Sequence, residues 1–290
     1  MTVQLRDEVQ GTDLGDEPLN RRLLTITEEL GAQPNLSIPA ATDGRAEMEG
    51  DYRFFDNDKI SPEKIRESHV AATIERIAQC EIALLVQDTT ELDLTRPSRR
   101  VRGAGPMDCE SRCGAFHHPL MAFTIGGVPL GTVWQKTWAR ENIEKSLTKA
   151  EKAKKRRETP IEQKESIRWI EGQRAARDVA AACPNTQCIC VSDSESDIYE
   201  LFSEPRMTEP SPDSEGAGPQ LELVIRAAQD RSTTSGDWLA DARSTEELFS
   251  DSVSVSARVA KIQTAKSARA KSRHSSAWEA RTASSDRHSS

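Results

Sequence analysis

Nowhere in the 290 residues is there a run of the ~18 apolar side chains that a membrane helix requires. The opening residues, MTVQLRDEVQGTDLGDEPLN, hold no apolar core of the kind an export signal uses. The chain is therefore expected in the cytoplasm, with no membrane partner. Its six cysteines, at 80, 109, 113, 183, 188 and 190, are expected to be reduced thiols. Aromatic residues make up only 4%, and tyrosine occurs at 52 and 199 alone. Basic excess is also missing: the net charge is −8, so the chain as a whole does not advertise nucleic-acid binding. The sign of a whole chain says little about a local patch, however.

What is present is a patterned chain of one large domain or two small ones. Residues 13–31 place Leu19, Leu23, Leu24, Ile26 and Leu30 at helical spacing, with Gly31 as a stop. YRFFDN, at 52–57, is an aromatic-basic knot in a mixed stretch. Ser61-Pro62 opens a second helix as N-cap and first-turn proline. Residues 1–80 thus read as a small all-helical unit. The pattern then changes. IALLVQD (82–88) is a strand, and a polar Arg/Gly loop follows (95–115). LMAFTI-GG-VPLGTVWQKTWAR reads as a hairpin on a glycine turn. Residues 140–160 form a charged, partly helical insertion, and 160–182 an amphipathic helix. QCICV (187–191) is a strand ending at Ser192-Asp193, DSESDIYELF turns into a helix, and LELVIRAA (221–228) is a last strand. The expected class is α/β (α+β): a ribonuclease-H-like mixed sheet over 81–230, preceded by the helical domain and followed by a low-complexity tail (231–290).

Two carboxylates end strands in this order, Asp88 and Asp193. A strand interior does not cheaply hold a charge, whereas the strand ends of α/β proteins carry chemistry. In a ribonuclease-H-like sheet the two strands are neighbours. Like charges at that distance repel unless a cation lies between them, and oxygen donors suit Mg²⁺ or Mn²⁺. The plainer alternative is that each aspartate caps the turn that follows it.

The stretches LGDEPLNRRL (14–23), AEMEGDYRFFDN (46–57), LLVQDTTELDL (84–94), GVPLGTVWQKTWAR (127–140), PIEQKESIRWIEG (160–172) and SDSESDIYELF (192–202) together carry a resemblance. The chain resembles the bacterial DDE transposases of the insertion-sequence-four group, the Tn-five-like type, over roughly residues 14–230. That resemblance implies an N-terminal DNA-binding domain and Mg²⁺-dependent cleavage and strand transfer at element ends. It implies Asp88 and Asp193 as catalytic, metal-holding residues, with Thr89 and Asp197 as supporting groups. It also implies Arg21, Arg22 and Arg53 as contacts to double-stranded DNA at transposon ends, with a homodimer forming on that DNA and the protein associated with the nucleoid. Arginines on exposed helices are otherwise a solvated face.

The chain departs from that family at its third acid. The family's Y-x2-R-x3-E-x6-K pattern is not found, because neither Tyr52 nor Tyr199 begins it. Ser194 stands where an arginine is usual. Residues 251–290 contain eleven Ser, eight Lys or Arg and three acids, with no sustained period. Such an end reads as the out-of-frame remainder of a longer transposase, or as a basic tail that grips nucleic acid. The first reading implies a C-terminally truncated or frameshifted protein, inactive alone. Its rival is a DNA-binding protein that occupies transposon ends without catalysis or inhibits a full-length partner. A nuclease using Asp88 and Asp193 with Glu195 or Asp197 is a third alternative. Cys109, Cys113, His117 and His118 are spaced too loosely for a zinc cluster. Trp134, Trp138 and Trp169 are expected in the core, as are Cys188 and Cys190. KAEKAKKRRE (149–158) is expected to be a solvated helix face or a phosphate-contacting insertion.

Overall fold

The computed structural model describes residues 5–95, 101–109, 111–141, 148–207 and 220–230. The tail from 231 on therefore lies outside the described residues, as do parts of the Arg/Gly loop and of the charged insertion.

Four helices come first. Helix α1 (Glu17–Ala32) starts where Asp16 accepts the amide of Leu19, with a proline in the first turn. Helix α2 (Ile38–Ala41) is a single turn, and α3 (Arg45–Phe55) buries Asp51 and Phe54. The stretch that looked mixed in sequence is thus a helix. Its apolar positions are few but as amphipathic in spacing as those of α1, and Phe54 seats it in the core that α1 lines. Helix α4 (Pro62–Ile77) opens on Ser61, whose hydroxyl accepts the amide of Lys64. Val9, Leu14, Leu23, Ile26 and Phe54 form the core between these helices.

A mixed sheet follows. Its strands are β1 (Ile82–Gln87), β2 (Thr90–Asp93), β3 (Gly105–Pro106), β4 (Cys113–Thr124), β5 (Pro129–Trp138), β6 (Gln187–Ser192) and β7 (Glu222–Ile225). β1 runs antiparallel to β4 and parallel to β6, and β7 is parallel to β6 on its far side. β4 and β5 make the hairpin foreseen from its glycines. Gly127 takes a positive φ of 79° in the turn, where its amide donates to Thr124 O. β2 and β3 were not foreseen. β2 extends β1 along the same partner, since Gln87 pairs with Leu120 and Thr90 with His117. All four β2 residues are exposed, so burial gives it no alternating signature.

Helices α5 (Lys149–Glu158), α6 (Ile167–Ala182) and α7 (Tyr199–Ser203) complete the described residues up to Gln229, which form one compact unit. α6 and α4 lie on one face of the sheet. Ala83, Leu85, Leu120, Ala122, Cys188 and Cys190 meet Ile77, Ala176, Val179 and Ala180 there. The alternate residues Leu84, Val86, Met121, Phe123, Ile189 and Val191 are only half-buried. The class is therefore mixed α/β, with several helices before and around a mixed sheet.

Candidate functional site

Parallel pairing of β1 with β6 matches Val86 to Val191. Continuing that register two residues brings Asp88 level with Asp193, each just past the carboxyl end of its strand. Both are accessible: Asp88 is exposed and Asp193 half-buried. Their local bonding is alike. Asp88 Oδ1 accepts the amide of Thr89 at 2.7 Å, and Asp193 Oδ1 accepts the amide of Glu195 at 2.8 Å. Asp193 thereby caps the 3-10 turn Ser194–Ser196. Capping and cation binding are compatible, because each carboxylate commits one oxygen and keeps the other for a second partner.

Beneath the pair runs a buried chain of polar side chains. In register, Thr89 stands across from His118, so the two share a face of the sheet. Thr89 Oγ1 lies 2.8 Å from His118 Nδ1 and accepts from Arg168 Nε at 2.8 Å. Gln87 Oε1 only accepts, so the one proton of a neutral His118 ring sits on Nε2 and the Thr89 hydroxyl donates to Nδ1. His118 Nε2 then carries its proton and faces Gln87 Oε1 at 3.2 Å, while Gln87 Nε2 donates to Cys190 Sγ at 3.4 Å. Burial, with Arg168 and His117 adding like charge, pushes His118 down to about 3, so the imidazole is neutral. Burial pushes the thiol of Cys190 up to about 12, and it is inert as a nucleophile.

Arg168 projects from α6 and is buried between the rings of Trp138 and Trp169, at 5.5 and 5.2 Å from their centroids. It also donates to Glu165 O and to Glu195 Oε2. Glu195 is thus held by Arg168. Asp197 is buried and accepts the amides of Ala228 and Gln229, at 2.6 and 2.9 Å, which fixes the chain leaving β7. Among the described residues no group of three or more His, Cys, Asp and Glu is placed to hold a metal. His117 bonds Thr137 and His118 faces inward, so neither turns toward Cys109 or Cys113 in a common cluster. Sequence reading missed Arg168 and weighed His118 only as a zinc ligand. Their signal was there: an arginine flanked by Ile167, Trp169 and Ile170, and a histidine in phase with Leu120 and Ala122.

In the helical region, Arg21 is exposed and only loosely paired with Glu17, at 3.7 Å. Arg53 is also exposed, its Nε donating to Glu49 O, and the neighbouring rings of Tyr52 and Phe55 are exposed too. Arg22 differs. It lies 3.6 Å from Asp51, whose carboxylate is fully buried and accepts no hydrogen bond from the described residues. Burial raises Asp51 above the ordinary carboxylate range, and Arg22 only partly offsets it. A group raised on folding favours the folded state below its ordinary value and costs stability as pH rises through the folded one. Arg22→Ala should therefore lower stability at pH 7 by about 2 kcal/mol, by leaving Asp51 unpaired. Asp51→Asn should be neutral or stabilising there, and Arg21→Ala should leave stability unchanged. Urea unfolding of the three variants checks this; equal effects at Arg21 and Arg22 would contradict it.

Residues 2–60 match a family model described as transposase DNA-binding. That segment contains Arg21, Arg22, Asp51, Tyr52, Arg53 and Phe55. The match supports a transposase-related, DNA-binding role. None of the helices among the described residues is long and apolar enough to cross a membrane.

Proposed function

We propose that this chain is a DDE transposase of the insertion-sequence-four type, incomplete for strand transfer on its own. The carrying observation is that two carboxylates end adjacent parallel strands, downstream of a segment that matches transposase DNA-binding domains. The order β5-β4-β1-β6-β7, antiparallel on one side of β1 and parallel on the other, supports a ribonuclease-H-like reading of the sheet. The boundaries of that reading are a helical domain to about residue 80 and a catalytic domain to about 230, as the change in sequence period suggests.

The donor set fits a divalent cation. It offers carboxylate oxygens at an accessible strand end, and the second oxygen of each accepts no bond from the described residues. Asp88 and Asp193 would hold Mg²⁺ or Mn²⁺, which when bound activates an attacking hydroxyl and neutralises a leaving oxygen. The protein's own part is positioning. Thr89 and Glu195 orient the two carboxylates, and Asp197 anchors the strand beside them. Arg21 and Arg53 supply positive charge to DNA phosphates, contacts that position a duplex without reading its bases. Arg22 adds the uncommitted part of its guanidinium. A homodimer on transposon ends is the assembly this reading carries. The absent Y-x2-R-x3-E-x6-K pattern supports incompleteness, because two acids do not fix a two-metal geometry.

The test uses the full chain with duplex DNA bearing the sequences that flank its own coding region. Binding should survive Asp88→Ala and Asp193→Ala, weaken with Arg21→Ala, and fall steeply with salt. Any Mn²⁺-dependent nicking should vanish in both aspartate variants, and strand transfer should be undetectable. Robust strand transfer would overturn the incompleteness. Failure to bind any such duplex would overturn the DNA-docking role, and nicking that persists without Asp88 would remove the metal assignment.

A further inference from the structure

We infer that Arg168 is a positioning residue that sets the separation of the two aspartates by holding both strand ends at once. The inference rests on the metal-holding role proposed for Asp88 and Asp193. Each aspartate has its Oδ1 fixed by a backbone amide, that of Thr89 or that of Glu195. The side chains of those same two residues are the acceptors for Arg168 Nε and Nη2, both at 2.8 Å. The third nitrogen, Nη1, donates to Glu165 O at 2.9 Å and ties the guanidinium to the start of its own helix. A planar fork with fixed donor directions transmits a distance in a way a flexible ammonium does not. The fork itself has little freedom: the side chain is 10% exposed, and two tryptophan rings flank it. Arg168 touches neither carboxylate through a hydrogen bond, so it acts through Thr89 and Glu195.

A lysine at 168 keeps the charge and reaches at most one of the two arms. Hydrogen exchange on the full chain, without metal, reads the linkage directly. Arg168→Lys should speed exchange at the amides of residues 89 and 195 by at least about tenfold, while those of Leu85 and Cys190 stay as slow as in the unaltered chain. Thr89→Val should loosen residue 89 alone and Glu195→Ala residue 195 alone; these two variants decide the matter if Arg168→Lys does not fold. Unchanged exchange at both amides overturns the inference. So does faster exchange spread evenly over the sheet, which would make Arg168 a general stabiliser. Mn²⁺ titration adds a second reading: Arg168→Lys should weaken affinity about tenfold to a hundredfold, as loss of an outer support does. If the unaltered chain binds Mn²⁺ and the lysine variant binds it equally well, the inference fails. If the unaltered chain binds no Mn²⁺, the metal assignment itself fails, and the exchange pattern alone decides what Arg168 does.

Discussion

Between pH 7 and pH 5 the folded chain is expected to lose about 2 kcal/mol of stability through His118 alone. The imidazole is fully buried, and its pKa is pushed down from an ordinary 6.5 to about 3. A depressed value means the unfolded chain binds the proton first. The stability is therefore whole above pH 6.5 and is lost steadily as pH falls toward 3. Arg168, His117 and Lys136 all disfavour a further cation there, and a bond to the Asp88 backbone offsets them only in part. Protonation would also oblige Nδ1 to donate where it now accepts from Thr89. The carboxylates carry their own signs: Glu8 and Glu165 are held below their ordinary 4.5 and add to the loss only at lower pH, whereas Asp51 and Glu29, raised by burial, favour the folded state as they protonate and so oppose it. Urea midpoints at pH 7, 6 and 5 should show the loss, and His118→Gln should flatten it even if that variant is weaker throughout. An equal slope in the variant would assign the acid lability elsewhere.

Gly172→Ala should destabilise by about 2 kcal/mol, although alanine is the better helix former by about 1 kcal/mol. Gly172 lies on the buried face of α6, directly over Gln87. An added Cβ would stand well inside 3.0 Å of Gln87 Oε1, closer than any real contact of that kind. Gln87 has no room to yield. It is 1% exposed and held at both ends of its amide by His118 and Cys190. The helix must rise from the sheet or the polar chain beneath the aspartates must break. Gly126→Ala is the control, since its new Cβ would meet only Thr124 Oγ1 at 3.7 Å. Thermal unfolding of both variants separates the outcomes. A stabilised Gly172→Ala would show that α6 does not press on β1 as closely as described.

Much of the fold was legible because its period was. β1, the β4–β5 hairpin, α4 and β6 all announce themselves through alternation, glycine punctuation or a Ser-Pro cap. α6 begins later than its amphipathic pattern suggests, because a 3-10 turn at Ile161–Gln163 takes up the residues after Pro160. The stretch 193–202 reads as one helix but divides into a 3-10 turn and α7, as Asp193 caps a turn that ends at Asp197. β2 escaped notice because it is exposed on every residue and is held by pairing and by Arg112, which bridges Glu91, Asp93 and Asp108. At the candidate site, the two aspartates were visible as strand-end carboxylates. Thr89 and Glu195 were visible too, as neighbours of those aspartates in sequence, but the link between them was not, since His118 and Arg168 come from separate segments and no local pattern brings them to the strand ends. Arg22 illustrates the same limit: sequence places it beside Arg21, and only tertiary packing sets Asp51 against it.

The sheet's topology also has a cost during synthesis. β1 occupies the centre, yet Gln87 and Cys190, joined across its parallel edge, are 103 residues apart in sequence. At roughly 5–20 residues per second, a ribosome takes about 5–20 s to deliver β6 after β1 has emerged. β4 can close one edge of β1 early, because the β4–β5 hairpin is local. The other edge, IALLVQ with its apolar side chains, waits uncovered until α6 and β6 arrive. For that interval the nascent chain offers an open strand edge to any neighbour, which makes the half-made protein a client for chaperones that bind extended apolar segments.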